Sequence, residues 1–204
     1  MIKHIWFDFS ETIARLHEDR HNELRYSTYA SVVEKSVNED LKKEYEQLYI
    51  KSKHSNAAIF RSLGLPSDFW SQKVNSLAPQ DLYTLADPDI PKVLKKLKTI
   101  VPISIFSNLK LGDVLPALGI DISLFTHVLS AEMLKEPKPA LEGFYKMVEL
   151  SQLPPSEILY IGDNVGKDVL PAKKVGIRTG LMWDNSKKAD YCFNGFKEIF
   201  SVFK

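Results

Sequence analysis

Three aspartates, a serine–asparagine pair and a lysine stand at the edges of short apolar runs in this 204-residue chain. Asp8 follows Ile-Trp-Phe in IWFDFSETI, and Ser107-Asn108 closes VPISIFSN. Lys138 opens KPALEGF, and Asp163 and Asp168 share YIGDNVGKD. Alone, each has an ordinary explanation, since Asp, Ser-Asn, Lys-Pro and Gly-Asp-Asn are all common in turns and caps. Their joint order carries more. Strand ends in one parallel sheet converge on one crevice. Three carboxylates meeting there repel one another and raise their own pKa values unless a cation holds them. Oxygen ligands suit Mg²⁺, which takes carboxylates, water and substrate phosphate. A lysine and a serine hydroxyl nearby can hold phosphate oxygens. The chemistry this set could do is Mg²⁺-assisted attack of an Asp carboxylate on a phosphoryl group, through an acyl-phosphate.

Such convergence needs strands to deliver the residues. Residues 2–9 are apolar, β-branched and aromatic and read as a strand. From about residue 20 to 78 the pattern turns helical, with Leu41, Tyr45, Leu48 and Tyr49 at three- and four-residue steps. Asn38 before Glu39 and Asp40 marks a helix start. Gly64 and Pro66 break the pattern before a short helix through Phe69, Trp70 and Val74. Helices are then expected at 91–98, 109–118, 139–150 and 167–175, the last stopping at Gly176. Strands are expected at 101–106, 128–129, 158–161 and 177–182, and an amphipathic helix at 196–203 that docks on the core. One strand, a helical block, then alternation implies an α/β fold: a parallel sheet flanked by helices, with an inserted helical cap. The expected core is 1–15 and 81–204, and the expected cap is 16–80.

Composition narrows the class. The chain is 44% hydrophobic, 11% aromatic and 26% charged, an ordinary globular mix that excludes a disordered or collagenous chain. Lys plus Arg is 27 against 26 Asp plus Glu, a net +1, so general binding to nucleic acid or an anionic membrane is not expected. No apolar run approaches the ~20 residues of a membrane span. MIKHIWFDF passes straight into polar sequence, without a secretory apolar region. Cys192 is alone, so no intrachain disulfide forms. The expectation is a soluble cytoplasmic protein, compatible with monomer or dimer.

As a set, these motifs resemble the haloacid dehalogenase-like hydrolase superfamily, with the helical type of cap inserted after the first strand. The likeness runs over most of the chain, with the motifs in the family's order. It implies Asp8 as nucleophile and Mg²⁺ ligand, with the Ser10 backbone carbonyl as another ligand. Ser107 and Thr12 would bind the phosphoryl group, with Asn108 beside them. Lys138 matches the motif lysine, because Lys138-Pro139 stands before Phe144 as in KPxxxxF; Lys135 is the fallback. Asp163 matches the metal-binding acid, and Asp168 a second acid acting through water. The implied substrate is a small phosphorylated metabolite.

One departure matters. The family's phosphatases read DxDGT, whereas this chain reads Asp8-Phe9-Ser10-Glu11-Thr12. The second Asp protonates the leaving oxygen and then activates water, general acid–base work worth roughly 10²–10⁴ in rate. Ser10, in that catalytic position, has no pKa near neutrality. Three explanations stand. The substrate has a leaving group that needs no proton, as in an acyl phosphate or a phosphonate. Another carboxylate, such as Glu11, serves instead. Or the chain is a weak or inactive relative that binds phosphate or a partner. The 2-haloacid dehalogenases also lack the second Asp but need no metal, so retention of Asp163 and Asp168 ranks dehalogenation lowest. Phosphonate hydrolases use a cap lysine, and nothing singles out one of Lys35, Lys42, Lys43, Lys51 and Lys53.

His17-Glu18-Asp19-Arg20-His21 matches HExxH, the zinc-protease spacing. Its charged middle residues and the lack of a third ligand favour a polar hinge between core and cap. Phe60, Phe69 and Trp70 read as cap core, Trp6 as sheet core, and Cys192 as a packed small side chain.

Overall fold

The computed structural model describes residues 1–130 and 133–203; Ala131, Glu132 and Lys204, within the expected core range, lie outside them. The chain begins with β1 (His4–Phe7), continues into β2 (Ala14–Leu16), and enters five helices: α1 (Glu18–Val32), α2 (Glu39–Lys51), α3 (Asn56–Ser62), α4 (Phe69–Asn75) and α5 (Pro79–Leu82). It returns through β3 (Tyr83–Leu85) and then alternates. There follow α6 (Ile90–Lys98), β4 (Ile103–Ser107), α7 (Val114–Ala117), β5 (Val128–Ser130), α8 (Glu142–Ser151) and β6 (Ile158–Gly162). A π-helical turn (Val165–Val169) runs into α9 (Leu170–Lys174), then β7 (Arg178–Met182), β8 (Tyr191–Phe193) and a 3₁₀ helix (Phe196–Phe203).

Six strands form one parallel sheet in the order β5-β4-β1-β6-β7-β8. Helices cover both faces, so the central strands β1, β4 and β6 are buried at every position rather than on alternate residues. Strand periodicity still decides which core each residue enters. Ile5 and Phe7 join Ile103, Ile105, Leu159 and Ile161 on one face. Trp6 joins Phe106, Ile158 and Tyr160 on the other. This is the α/β architecture that the alternating pattern implies.

The helical block sits between the strands of a two-stranded antiparallel ribbon, β2 with β3, in register Arg15 to Thr84. Those strands and β8 escape sequence reading because each has three residues, too few to display an alternation. The helix start at Asn38 is as expected: its side chain accepts the Leu41 N–H. The helix expected over 109–118 shrinks to α7. Two of its amides bond to side chains instead of i−4 carbonyls: Leu109 N–H donates to Ser107 Oγ, and Lys110 N–H to Ser71 Oγ. The last helix is 3₁₀ rather than α, and its buried Phe196 and Ile199 follow the three-residue repeat that stacks side chains on one face of such a helix. It docks on the core, with the Phe196 ring stacked on Phe7 at 5.8 Å.

Three serines of the helical block bond to core loops. Ser55 Oγ donates to the Lys138 carbonyl at 2.9 Å and Ser67 Oγ to the Leu134 carbonyl at 2.8 Å. Ser71 Oγ accepts the Lys110 N–H at 2.6 Å. No helix of the described residues is long and apolar enough to cross a membrane.

Candidate active site

The chain lays β4 and β5 on one side of β1 and then β6, β7 and β8 on the other. The order reverses beside β1, and sheets of this kind bind ligands outside the carboxyl ends of the strands at that point. Asp8 follows β1, Asn108 follows β4 and Asp163 follows β6. A cavity of about 260 Å³ opens there, lined by Asp8, Ser10, Ser107, Asn108, Lys138 and Asp163 from the core.

Lys138 is 1% exposed and its ammonium is fully engaged. It stands 2.7 Å from Asp8 Oδ1 and 3.0 Å from Asp168 Oδ1. It also donates to the Tyr160 hydroxyl at 2.5 Å and to the Phe106 carbonyl at 3.3 Å. Tyr160 in turn donates to Asp168 Oδ1 at 3.0 Å. Asn108 clamps the Lys138 backbone: its Oδ1 accepts the Lys138 N–H at 2.8 Å, and its Nδ2 donates to the Lys138 carbonyl at 3.1 Å. In the structure, then, Asn108 positions the lysine. Ser107 Oγ accepts the Leu109 N–H and lines the cavity.

Asp8, Asp163 and Asp168 each offer an oxygen within 4.8 Å of the others, forming the group of possible metal ligands among the described residues. Their oxygens are used differently. Asp8 Oδ1 accepts the Phe9 N–H at 2.7 Å as well as bonding Lys138. Asp168 Oδ1 is taken by Lys138 and Tyr160, and Oδ2 accepts the Asn164 N–H at 3.2 Å. Asp8 Oδ2 and Asp163 Oδ1 are buried without a hydrogen-bond donor among the described residues. Two orphaned carboxylate oxygens beside a third acid fit a hard divalent cation such as Mg²⁺. Gly162 makes room for this arrangement, since a Cβ there would stand 2.6 Å from Asp168 Cβ and Cγ.

A second ammonium enters the cluster. Lys167 Nζ lies 3.4 Å from Asp8 Oδ2 and 3.8 Å from Asp163 Oδ1. Burial alone would raise the Asp8 carboxyl, but the charges of Lys138 and Lys167 and the hydrogen bonds to Lys138 and Phe9 hold it below its ordinary value. Burial pushes Asp163 up to about 7, against the opposing pull of Lys167 and with repulsion from Asp168 and Asp8. Burial would lower Lys167, yet the facing carboxylates of Asp163, Asp8 and Asp168 carry it well above its usual value.

The loop after β1 departs from the expected motif in a specific way. Glu11 has φ of 59°, in the left-handed region where glycine is favoured, and glycine is what the resembling family carries there. Its Oε1 accepts the Leu16 N–H at 3.0 Å, so the carboxylate is tied to the ribbon's own backbone at the cavity edge. Ser10 lines the cavity. Thr12 is fully buried outside the cavity lining, and its carbonyl accepts the Trp183 indole N–H at 3.2 Å.

The helical block supplies the opposite wall, including His21, Tyr49, His54, Ser55, Asn56 and Trp70. Asn56 Nδ2 donates to His21 Nε2 at 3.3 Å, while its Oδ1 accepts the Tyr45 hydroxyl at 2.6 Å. Burial, helped by the Arg25 charge, lowers the His21 imidazole to about 4, so it is neutral at pH 7. His17 is exposed and His21 is buried against Trp70; neither joins the acidic metal group, and the HExxH spacing lies in the hinge and first helix.

Sequence reading did not single out Lys167, Tyr160, Ser55 or Asn56. Lys167 could have been found, because it stands beside Asp168 within the quoted YIGDNVGKD segment. The others reach the site through the fold alone.

The same fold recurs among known proteins. Residues 5–182 match the family described as haloacid dehalogenase-like hydrolase. A glyceraldehyde 3-phosphate phosphatase of Methanocaldococcus jannaschii is 28% identical over 128 residues, covering 57% of this chain and 56% of that protein. The matched stretch thus spans about half the length of that relative. A HAD phosphatase from Thermococcus onnurineus superposes with a TM-score of 0.70 at 19% identity, covering 99% of this chain and 98% of its own. A haloacid dehalogenase-like family hydrolase from Streptococcus pneumoniae superposes with a TM-score of 0.69 at 16% identity, covering 100% and 99%. At these identities the two structural likenesses are of fold.

Proposed function

Because this chain belongs to the haloacid dehalogenase-like hydrolases, we propose that it hydrolyses a small phosphorylated metabolite through an aspartyl-phosphate on Asp8. The observation that carries this reading is Asp8 itself: a buried carboxylate held below its ordinary pKa, at the floor of a cavity, with one oxygen fixed by Lys138 and Phe9 N–H and the other without a hydrogen-bond donor. Asp8 and Asp163 would hold Mg²⁺ with the Ser10 carbonyl, and Asp168 would act through water. Bound there, the ion neutralises phosphoryl oxygens.

The chain's own residues do the rest. An Asp8 oxygen forms a bond to phosphorus, and the bond to the leaving oxygen breaks with its electron pair. Ser107 presents its hydroxyl to a phosphoryl oxygen, and Lys138, its donors already engaged, fixes Asp8 Oδ1 and lends its positive charge at the attack position. Water then cleaves the aspartyl-phosphate, releasing inorganic phosphate and restoring Asp8. The helical block, proposed to span 16–80, acts as a cap that excludes bulk water and sets specificity. A cavity of about 260 Å³ is smaller than the ~300–1,000 Å³ of drug-sized sites and suits a few-carbon phosphate, a size class that the glyceraldehyde 3-phosphate phosphatase relative supports.

Ser10 offers no proton to the leaving group, and the Glu11 carboxylate is bonded to Leu16 N–H. Leaving groups that depart unprotonated are therefore favoured. The test is phosphate release from acetyl phosphate, sugar phosphates, nucleotides and a phosphonate, with and without Mg²⁺, for the native chain and Asp8→Asn. Mg²⁺-dependent release abolished in the variant is expected, with acetyl phosphate preferred over alkyl phosphates by roughly 10²–10⁴, the worth of the missing acid. Silence across the panel from folded protein would overturn the hydrolase reading in favour of a phosphate-binding role.

A further inference from the structure

We propose that Lys167 is a tethered counter-cation of this site, which balances the carboxylates in the metal-free protein and is displaced when a divalent cation binds. The inference rests on the metal assignment made above and concerns what the metal must compete with. The two carboxylate oxygens that lack a hydrogen-bond donor, Asp8 Oδ2 and Asp163 Oδ1, are the two that the Lys167 ammonium faces. An ion seated on those oxygens and the ammonium cannot share one position.

The two lysines of the site differ in how firmly they sit. Lys138 is bound at 2.7 Å and 3.0 Å to carboxylates and donates to two further oxygens, so it has no freedom to leave. Lys167 stands off at 3.4 and 3.8 Å, on a side chain that is 12% exposed. Its backbone is fixed, because the amides of Gly166 and Lys167 both donate to Asn164 Oδ1 at 2.9 Å. Its four-carbon stem is not, and a flexible lysine can swing its charge aside while the turn holds still. Lys167 is the cation that yields.

Charge balance gives the arrangement a purpose. Three carboxylates face two ammoniums, so with all three ionised the metal-free centre carries one excess negative charge. A divalent ion reverses this to one excess positive charge when Lys167 moves aside but stays in the cavity it lines. Ser10, in place of an acid, adds no negative charge. The loaded centre then attracts a phosphate dianion, and the displaced ammonium faces the phosphoryl oxygens.

Calorimetric titration of Mg²⁺ into metal-free protein tests the competition directly, without turnover. Lys167→Gln should bind Mg²⁺ on the order of tenfold more tightly than the native chain, since the ion no longer displaces a charge. Lys167→Arg, which keeps the charge the ion must displace, should stay within about threefold of native. Metal-free Lys167→Gln should also melt lower than native and recover more on Mg²⁺ addition. Equal or weaker Mg²⁺ binding by folded Lys167→Gln would overturn the inference while leaving the metal assignment intact. No Mg²⁺ binding by the native chain would overturn both. The native chain provides a measurement that does not depend on a variant folding: the Lys167 side-chain nitrogen resonance should shift on Mg²⁺ saturation, and an unmoved resonance would refute displacement.

Discussion

All the donors of Lys138 are engaged by Asp8, Asp168, Tyr160 and the Phe106 carbonyl, so the residue is as much a structural hub as a binding group. Removing one partner of such a network leaves buried charge uncompensated, which is costlier than losing the pair. His21 shows the opposite solution, a titratable group kept neutral by burial at about pKa 4, and burial does the same to His4. The sign of the resulting pH dependence follows from linkage. An unfolded histidine takes up its proton near 6.5, while these folded ones wait until about 4. Between those values the unfolded state binds more protons, so stability is fully present above 6.5 and declines as pH falls towards 4. The slope is at most about 1.4 kcal/mol per pH unit for each histidine. Denaturant unfolding of His21→Gln should therefore show a shallower loss of stability over this range than the native chain. Parallel pH profiles would mean that His21 is not held neutral.

At the scale of elements, the junction of β6 with the π-helical turn sets the acidic cluster. Asp163 follows the strand and Asp168 sits inside the turn, and the glycine closing the strand lets them approach. Gly162→Ala would place a Cβ 2.6 Å from Asp168 Cβ and Cγ, forcing the carboxylate away from Lys138 and Tyr160. Unfolding measurements should show a loss of about 1–3 kcal/mol, the usual cost of overpacking, together with weakened phosphate release. Gly112→Ala is the control: its Cβ meets nothing within 4 Å, so stability should move by no more than about 0.5 kcal/mol. A harmless Gly162→Ala would show that the turn can shift without cost. Much of this element was legible, since YIGDNVGKD announces strand, turn and acids together. The function of Gly162 was not, because a close approach is a property of two segments.

At the scale of the whole molecule, the helical block and the core meet through hydrogen bonds as well as packing. Ser67 and Ser71 bond to core backbone at Leu134 and Lys110. A neutral hydrogen bond contributes about 0.5–1.5 kcal/mol, so the pair biases the block towards the core without locking it. In Ser67→Ala/Ser71→Ala, amide exchange should quicken in α3 and α4, while β1 and β6 keep their protection. Unchanged exchange in the helices would show that packing alone closes the seam. Chain path also decides what Asn108 does. The family resemblance implies a place for it beside the phosphoryl group, and the fold brings the Lys138 backbone, 30 residues away, into its amide.

The sequence by itself determined the α/β class, the helical insertion after the first strand, and the meeting of Asp8, Ser107, Lys138 and Asp163 in one place. Apolar periodicity reports which faces are buried, and a parallel sheet sends its strand ends to one edge, so both are readable from local pattern. The departure at Ser10 and Glu11 was equally visible, since it is a change of residue type at a marked position. Only the tertiary structure decided which carboxylate oxygens lack a hydrogen-bond donor, that Lys167 faces them, and that Glu11 turns its carboxylate to Leu16 N–H. It also decided that Thr12 lies outside the cavity lining. Those outcomes depend on side-chain direction over distances of a few ångströms between segments far apart in the chain, and no pattern along one dimension encodes them.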